Sequence, residues 1–275
     1  MDIRDLISEA AVKLKAAGIE NYANEARWLV QESAGCRAFF SSGDELAPER
    51  EKIARLAIER RCRREPLQYI LGSAPFGELD LLVSPAVLVP RPETEVLVAC
   101  ALAQLEHGGS LLDLGCGSGA IALLSASRRP DIRVTAVDKS PEALAVAITN
   151  ARNLALDKRI DFRESDLFSA LAGERFSLIA ANLPYVSESE YLTLEPEVRC
   201  FEPECALTAP EEGFALIRQA INSCSTHLLP GGKVIFEMSP RQIPAALELL
   251  EAQNFTANVV ADQFGEQRFA FGVLG

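Results

Sequence analysis

The stretch Leu111-Leu-Asp-Leu-Gly-Cys-Gly-Ser-Gly-Ala120 sets the strongest limit on what this chain can fold into. A short apolar run leads into Gly115, Gly117 and Gly119, with Cys116 and Ser118 between them, and an apolar helical stretch over residues 121–127 follows. Glycine lets a backbone turn sharply and lets a ligand come close. Strand, glycine turn and helix in that order belong to open α/β sheets, whose ligands lie at the carboxyl ends of the strands, beside a helix N-terminus that favours a carboxylate or phosphate. The spacing is GxGxG and not the GxGxxG of dinucleotide sites.

Beyond residue 93 helical stretches alternate with short apolar runs at 111–114, 134–137, 160–162, 176–181 and 233–238, which predicts a parallel sheet covered on both faces. Two more strand-like runs, 256–260 and 268–273, flank a turn at Gly265 and predict an antiparallel strand at the end of that sheet. The first 66 residues read as helices. Ile3, Leu6, Ile7, Ala10, Ala11 and Leu14 recur at helical spacing before Gly18; a second helix spans 22–33 with Trp28 and Leu29 inward and Gly35 as its stop; a third starts after Pro48. The third carries Lys52, Arg55, Arg60, Arg61, Arg63 and Arg64 among Glu49, Glu51, Glu59 and Glu65, either a solvated face or a docking surface for an acidic or ribonucleoprotein partner. Next, β-prone runs at 68–71 and 79–83, broken by Gly72, Pro75, Gly77 and Pro85, predict a hairpin linker. The expected organisation is a helical domain over 1–66, a β-hairpin linker over 67–92 and an α/β domain over 93–275.

Three carboxylates fall where an adenosine-containing ligand needs them. Asp138 ends the second apolar strand, where it can accept both hydroxyls of a ribose. Asp166 follows the third strand and, with Leu167 and Phe168, can frame an adenine ring; Asp113, just before the glycines, can face the amino group of a methionine moiety. These positions suit a nicotinamide cofactor or S-adenosylmethionine.

Asn182-Leu183-Pro184-Tyr185 follows the fourth strand directly. An amide nitrogen is a poor nucleophile because its lone pair is delocalised, so a catalyst that alkylates one must hold it in line with the methyl group and accept its hydrogens. The Asn182 side-chain oxygen and the Leu183 carbonyl can each accept one N–H, while Tyr185 can stack on the planar group and exclude water. No separate general base stands out.

The formal net charge of −12 narrows the partners. Residues 1–75 balance twelve basic against twelve acidic side chains, and the rest carry fifteen against twenty-seven, so the excess negative charge lies in the larger domain. Such a surface repels a phosphate backbone, which disfavours stable nucleic-acid binding and suits a protein target. Seven cysteines, Cys36, Cys62, Cys100, Cys116, Cys200, Cys205 and Cys224, are scattered without a close CxxC pair, and the two histidines, His107 and His227, lack ligand spacing; reduced structural thiols, surface or loop histidines and no metal are expected. No apolar run nears the roughly 20 residues of a membrane-spanning helix, and Met1 to Leu6 carries Asp2, Arg4 and Asp5 instead of a secretory pattern, so a cytoplasmic protein is expected. The lack of a sustained apolar stripe favours a monomer.

Five motifs together resemble the PrmC or HemK type of glutamine methyltransferase, which acts on class-one peptide chain release factors. They are Glu65-Pro66-Leu67-Gln68-Tyr69-Ile70-Leu71-Gly72, Val89-Pro90-Arg91-Pro92-Glu93-Thr94-Glu95, the glycine loop, Asn182 to Tyr185, and Phe201-Glu202-Pro203 with Ala206-Leu207. The resemblance implies a helical N-terminal substrate-docking domain, a class I, Rossmann-like, seven-stranded methyltransferase domain, and methyl transfer from S-adenosylmethionine, leaving S-adenosylhomocysteine, to the side-chain nitrogen of the glutamine in the release factor's GGQ loop. It puts cofactor contacts on Gly115 to Gly119, Asp138 and Leu167 and substrate contacts on Asn182 to Tyr185, with Arg91, Thr94 and Glu95 as the pocket's other wall. For those three an ion-paired helix start is the structural alternative. Leu183 stands where the family pattern has proline; its carbonyl serves equally, while loop rigidity comes into question.

Other readings are a methyltransferase of the adenine amine in DNA or the guanine amine in ribosomal RNA, an inactive adaptor that only senses S-adenosylmethionine, and a Rossmann dehydrogenase. Charge balance and the absence of an evident recognition domain argue against the first, intact Asn182 and Tyr185 against the second, and GxGxG spacing against the third.

Overall fold

The computed structural model describes residues 2–35 and 44–275; Met1 and residues 36–43, Cys36 among them, lie outside the described residues. The chain divides into two compact units, one of residues 1–73 with 195–201, the other of 74–194 with 202–275.

The first unit packs α1 (Ile3–Ala16), α2 (Tyr22–Ala34) and α3 (Pro48–Cys62) around Leu6, Ala10, Leu14, Ala26, Leu29, Val30 and Ala54, all at most 1% exposed. Asp2 caps α1 by accepting the Arg4 N–H at 2.8 Å, and Gly35 ends α2 in the left-handed conformation, φ 68°. Trp28 corrects the expectation: it is 45% exposed. The buried stripe of α2 runs through Glu25, Ala26, Leu29, Val30 and Ser33, and successive helical residues differ by about 100°, which turns Trp28 outward. Glu25 lies inside that stripe because the Arg61 Nε donates to it at 2.6 Å.

Residues 68–71, expected as a strand, belong to a helical turn, α4 (Leu67–Leu71). Pro66 pre-sets its start, and Gly72 closes it at φ 80° with its N–H on the Gln68 carbonyl. Tyr69 is buried, and Leu67, Ile70 and Leu71 pack on the helical core. The hairpin itself is β1 (Ser73–Phe76) with β2 (Leu79–Leu82), joined through Gly77.

After α5 (Pro92–Gln104) the second unit builds its sheet from β3 (Ser110–Leu114), β4 (Arg133–Asp138), β5 (Ile160–Glu164), β6 (Phe176–Asn182), β7 (Leu228–Glu237), β8 (Phe255–Ala261) and β9 (Gln267–Leu274). Spatial order is β5-β4-β3-β6-β7-β9-β8, with all neighbours parallel except those of β9. The expected antiparallel strand is therefore interior, between β7 and β8. Side chains alternate across this sheet. Leu111, Leu178 and Ile235 meet α5, α6 (Ala120–Arg128) and α7 (Pro141–Asn153) on one face; Leu112, Leu114, Ile179 and Phe236 meet α10 (Ala215–Cys224) and α11 (Ile243–Ala252) on the other, with the short α8 (Glu188–Tyr191) and α9 (Pro196–Phe201) between β6 and α10 in sequence.

Candidate active site

The carboxyl ends of β3, β4 and β6 converge on the glycine loop. Gly115, Gly117 and Gly119 all adopt positive φ, 79°, 54° and 83°, which side chains rarely tolerate. The N–H groups of Gly115 and Cys116 both donate to the Val137 carbonyl at 2.9 Å. Asp138, one residue on, accepts the Gly117 N–H on Oδ2 at 2.8 Å and the Ser140 N–H on Oδ1 at 2.9 Å, so a single carboxylate ties the loop to the end of β4. A Cβ built on Gly117 meets no atom within 4 Å.

Asn182 ends β6, and the chain turns into the Asn182-Leu183-Pro184-Tyr185 corner. Leu183 is 4% exposed, and its Cδ2 lies 2.8 Å from where a Cβ of Gly115 would stand. The corner and the glycine loop are thus in direct contact. The Leu183 side chain fills the space between them.

Both line one cavity of about 1010 Å³, mouth included. Of the residues expected at the site, Arg91, Thr94, Gly115, Cys116, Gly117, Ser118, Asp138, Asp166, Leu167, Asn182, Leu183 and Pro184 lie on its wall. Leu167 sits there in a left-handed backbone, φ 47°. Burial, with Asp113 and Asp138 nearby, pushes the Cys116 thiol well above its usual value.

Five expected residues lie elsewhere. Asp113 is fully buried and two positions from Leu111 on the same strand face, so it points at α6, where Oδ2 accepts the Ala122 N–H at 2.9 Å; burial pushes its carboxyl up to about 7. Gly119 caps α6 at a point where a Cβ would press on Leu123 and Ala147 at 3.0 and 3.1 Å, so it serves helix packing. Glu95 faces Arg128, whose charge it helps to hold. Tyr185 packs against the core beneath α10 and α11; burial foremost, then the Glu237 charge, pushes its phenol up to about 12. Phe168, expected over an adenine, instead stacks on His227 with ring centres 4.6 Å apart, and His227 is correspondingly half-buried.

Several residues around the cavity carried no signal in the sequence. Val87, Leu88, Ser140, Cys205 and Leu216 reach the wall from loops and helix starts of ordinary composition. Glu202 holds the segment before α5: it accepts the Val89 N–H at 3.2 Å and the Arg91 guanidinium at 2.5 Å, joining two motifs more than 100 residues apart. Burial raises the Glu202 carboxyl against the pull of Arg91. Gln242 donates at 3.0 Å to the carbonyls of both Tyr185 and Glu212, bracing the corner from below. Thr94, on the first turn of α5, accepts from Asn182 Nδ2 at 3.0 Å and donates to Glu237 at 2.8 Å. Burial raises the Glu237 carboxyl to about 7, with Thr94 and Arg268 opposing.

A seven-stranded sheet of this order, with a glycine loop closing its first strand, is that of the Rossmann-like S-adenosylmethionine-dependent methyltransferases. Two solved structures share the fold: a methyltransferase from Pyrococcus furiosus (TM-score 0.57, 19% identity, covering 79% of this chain and 98% of that one) and the 16S rRNA N2 G1207 methyltransferase of T. thermophilus in complex with AdoMet and guanosine (TM-score 0.53, 21% identity, 74% and 50%). Residues 92–195 match the Methyltransferase small domain family and residues 5–72 the PrmC N-terminal domain. Release factor glutamine methyltransferases of Deinococcus radiodurans (38% identical, 98% of this chain and 97% of that protein), Geobacter sulfurreducens (35%, 99% and 97%) and Escherichia coli (40%, 86% and 86%) align along most of their length. The chain belongs to the release factor glutamine methyltransferase family, and it is an S-adenosylmethionine-dependent protein-glutamine N-methyltransferase. No helix among the described residues is long and apolar enough to cross a membrane.

Proposed function

We propose that this protein methylates the side-chain amide nitrogen of the GGQ glutamine in class-one peptide chain release factors. The observation that carries the reading is the contact between Leu183 and the glycine loop, which opens donor site and acceptor corner into one cavity.

The wall residues suit S-adenosylmethionine. Asp138 and Asp166 offer acceptors for ribose hydroxyls and an adenine amine, Leu167 offers an apolar surface, and Gly117 leaves room for close approach. When bound, this cofactor supplies an electrophilic methyl group on sulfonium, whose C–S electron pair returns to sulfur in the product thioether. The glutamine nitrogen forms the new N–C bond with its lone pair and sheds one proton to water. Asn182 Oδ1 and the Leu183 carbonyl accept the two amide N–H groups and fix the nitrogen's direction, an orientation effect worth roughly 7 to 11 kcal/mol in well-aligned systems. Pro184 limits the corner's freedom, and Tyr185 packs behind it as the face that excludes water. Arg91 acts through Glu202 to hold the opposite wall, and Glu95 is assigned to the start of α5.

In this reading the helical unit docks the release factor, the acidic surface keeps nucleic acid from binding stably, and the protein works without a metal, as a cytoplasmic monomer. Incubation with purified release factor and labelled cofactor is expected to add one methyl to the tryptic peptide holding the GGQ glutamine, read by mass spectrometry. An unmodified peptide beside methylated DNA or RNA would overturn the proposal in favour of a base amine as substrate. Asn182→Ala is expected to leave affinity for S-adenosylhomocysteine nearly unchanged while turnover falls by orders of magnitude.

A further inference from the structure

An asparagine side chain offers an acceptor at one end and donors at the other, and its two ends have nearly the same shape. A corner that must accept the N–H of a substrate amide works only with Asn182 in one of its two orientations. Something has to select it.

Thr94 and Glu237 stand where a selector is needed. On neighbouring parallel strands, Asn182 and Glu237 are register partners, and strand alternation turns both toward the first turn of α5. Thr94 lies between them, 4% exposed, and Glu237 is 1% exposed. The chain of bonds runs from Asn182 Nδ2 to Thr94 Oγ1 at 3.0 Å, and from Thr94 Oγ1 to Glu237 Oε2 at 2.8 Å. Arg268 and Arg91 bring positive charge toward Glu237, Glu93 negative charge, and the Tyr185 phenol feels the Glu237 charge in turn.

We infer that Glu237, acting through Thr94, is a positioning residue that fixes which end of the Asn182 amide faces the cavity. A hydroxyl has one proton, and an ionised carboxylate, the form Glu237 takes above about pH 7, only accepts. With the Thr94 proton committed to Glu237, Thr94 has only lone pairs to present to Asn182, which must answer with its NH₂ group. The Asn182 oxygen is left as the end not engaged by Thr94. Without an acceptor at position 237, the Thr94 proton turns to Asn182, the amide reverses, and two sets of donors confront each other across the cavity.

The inference rests on the reading that Asn182 accepts from the substrate amide, so the test has one arm that needs no substrate. In ¹⁵N-labelled protein, the Asn182 side-chain NH₂ protons are expected to be protected from exchange in the wild type and to lose protection in Thr94→Val and in Glu237→Met. With release factor as substrate, both variants are expected to lose roughly a hundredfold in kcat, the scale of a small misplacement of reacting groups. KM and the calorimetric affinity for S-adenosylhomocysteine should stay within about twofold of wild type, Thr94→Ser should regain most of the kcat lost in Thr94→Val, and the double variant should be no slower than the single ones, as for residues acting in one chain. Unaltered NH₂ exchange in Thr94→Val overturns the inference whatever the substrate. So does a Thr94→Ser as slow as Thr94→Val, or a kcat loss matched by equal loss of cofactor affinity. A wild type that shows the protected NH₂ but leaves release factor unmethylated counts against the substrate reading and leaves the orientation of Asn182 established.

Discussion

Asp113 accepts the Ala122 N–H with Oδ2, while its Oδ1 has no hydrogen-bond partner in the buried space between β3 and α6. Burial raises its carboxyl from the usual 3.8 to about 7. A raised folded-state value means that the folded protein holds the proton more tightly than the unfolded chain, so the stabilisation is complete below about pH 4 and disappears as pH rises through about 7. Asp113→Asn keeps an oxygen for the Ala122 N–H and removes the charge. The variant is expected to unfold at a higher temperature than wild type at pH 8, with the gap narrowing at pH 5; an equal gap at both pH values would contradict the assignment. At this scale the sequence was legible where chemistry is local. The glycines, Asp138 and Asn182 announce themselves beside strand ends. Glu237 does not, because its hydroxyl partner Thr94 is 143 positions away and an isolated glutamate at the end of an apolar run gives no sign of burial. Asp113 was misdirected for a related reason: nearness to the glycines in sequence says less than the strand face on which it lies.

Among the elements, the loop beneath the Asn182–Tyr185 corner is the most tightly constrained. Gly213 has φ 80°, and a Cβ there would stand 2.0 Å from the Tyr185 carbonyl oxygen, below the 3.0 Å that real Cβ atoms respect. Gly213→Ala is expected to displace the corner by about an ångström and lower turnover on the order of a hundredfold. The far-UV circular dichroism should be unchanged, because the helices and sheet do not depend on that loop; full activity would show that the corner tolerates the shift. The alternation of helices and strands was readable from period alone, and strand limits moved by few residues. Residues 68–71 were misread because a short apolar run has the same appearance in a strand and in one buried helical turn. Pro66 and Gly72, which bracket that turn, were the better signals. Trp28 points outward because the helical stripe of its neighbours, and not its aromatic character, sets which face of α2 is buried.

For the whole molecule, the sequence foretold an alternation of helical and sheet-forming regions but not that residues 195–201 would join the helical unit. The tie is electrostatic and non-local. Arg61 reaches Glu25 at 2.6 Å and Glu197 at 2.9 Å, and Arg64 reaches Glu197 at 2.6 Å, in a cluster with little solvent. The two guanidiniums overcome burial and hold the Glu197 carboxyl below its ordinary value. Arg61→Ala leaves the buried Glu25 without its guanidinium and Glu197 with Arg64 alone, and is expected to cost the helical unit about 3 to 5 kcal/mol. Hydrogen exchange should report it as faster exchange in α1, α2 and α3; unchanged protection there would mean that the cluster is dispensable.

The interior position of β9 carries a consequence for biosynthesis. Because β9 follows β8 in the chain yet lies between β8 and β7, the edge of β7 stays unpaired until residues near 274 have been translated. The strand that carries Glu237 therefore gains its last neighbour only once β9 has been made, and a nascent chain that stops before β9 should show no turnover while still tethered to the ribosome.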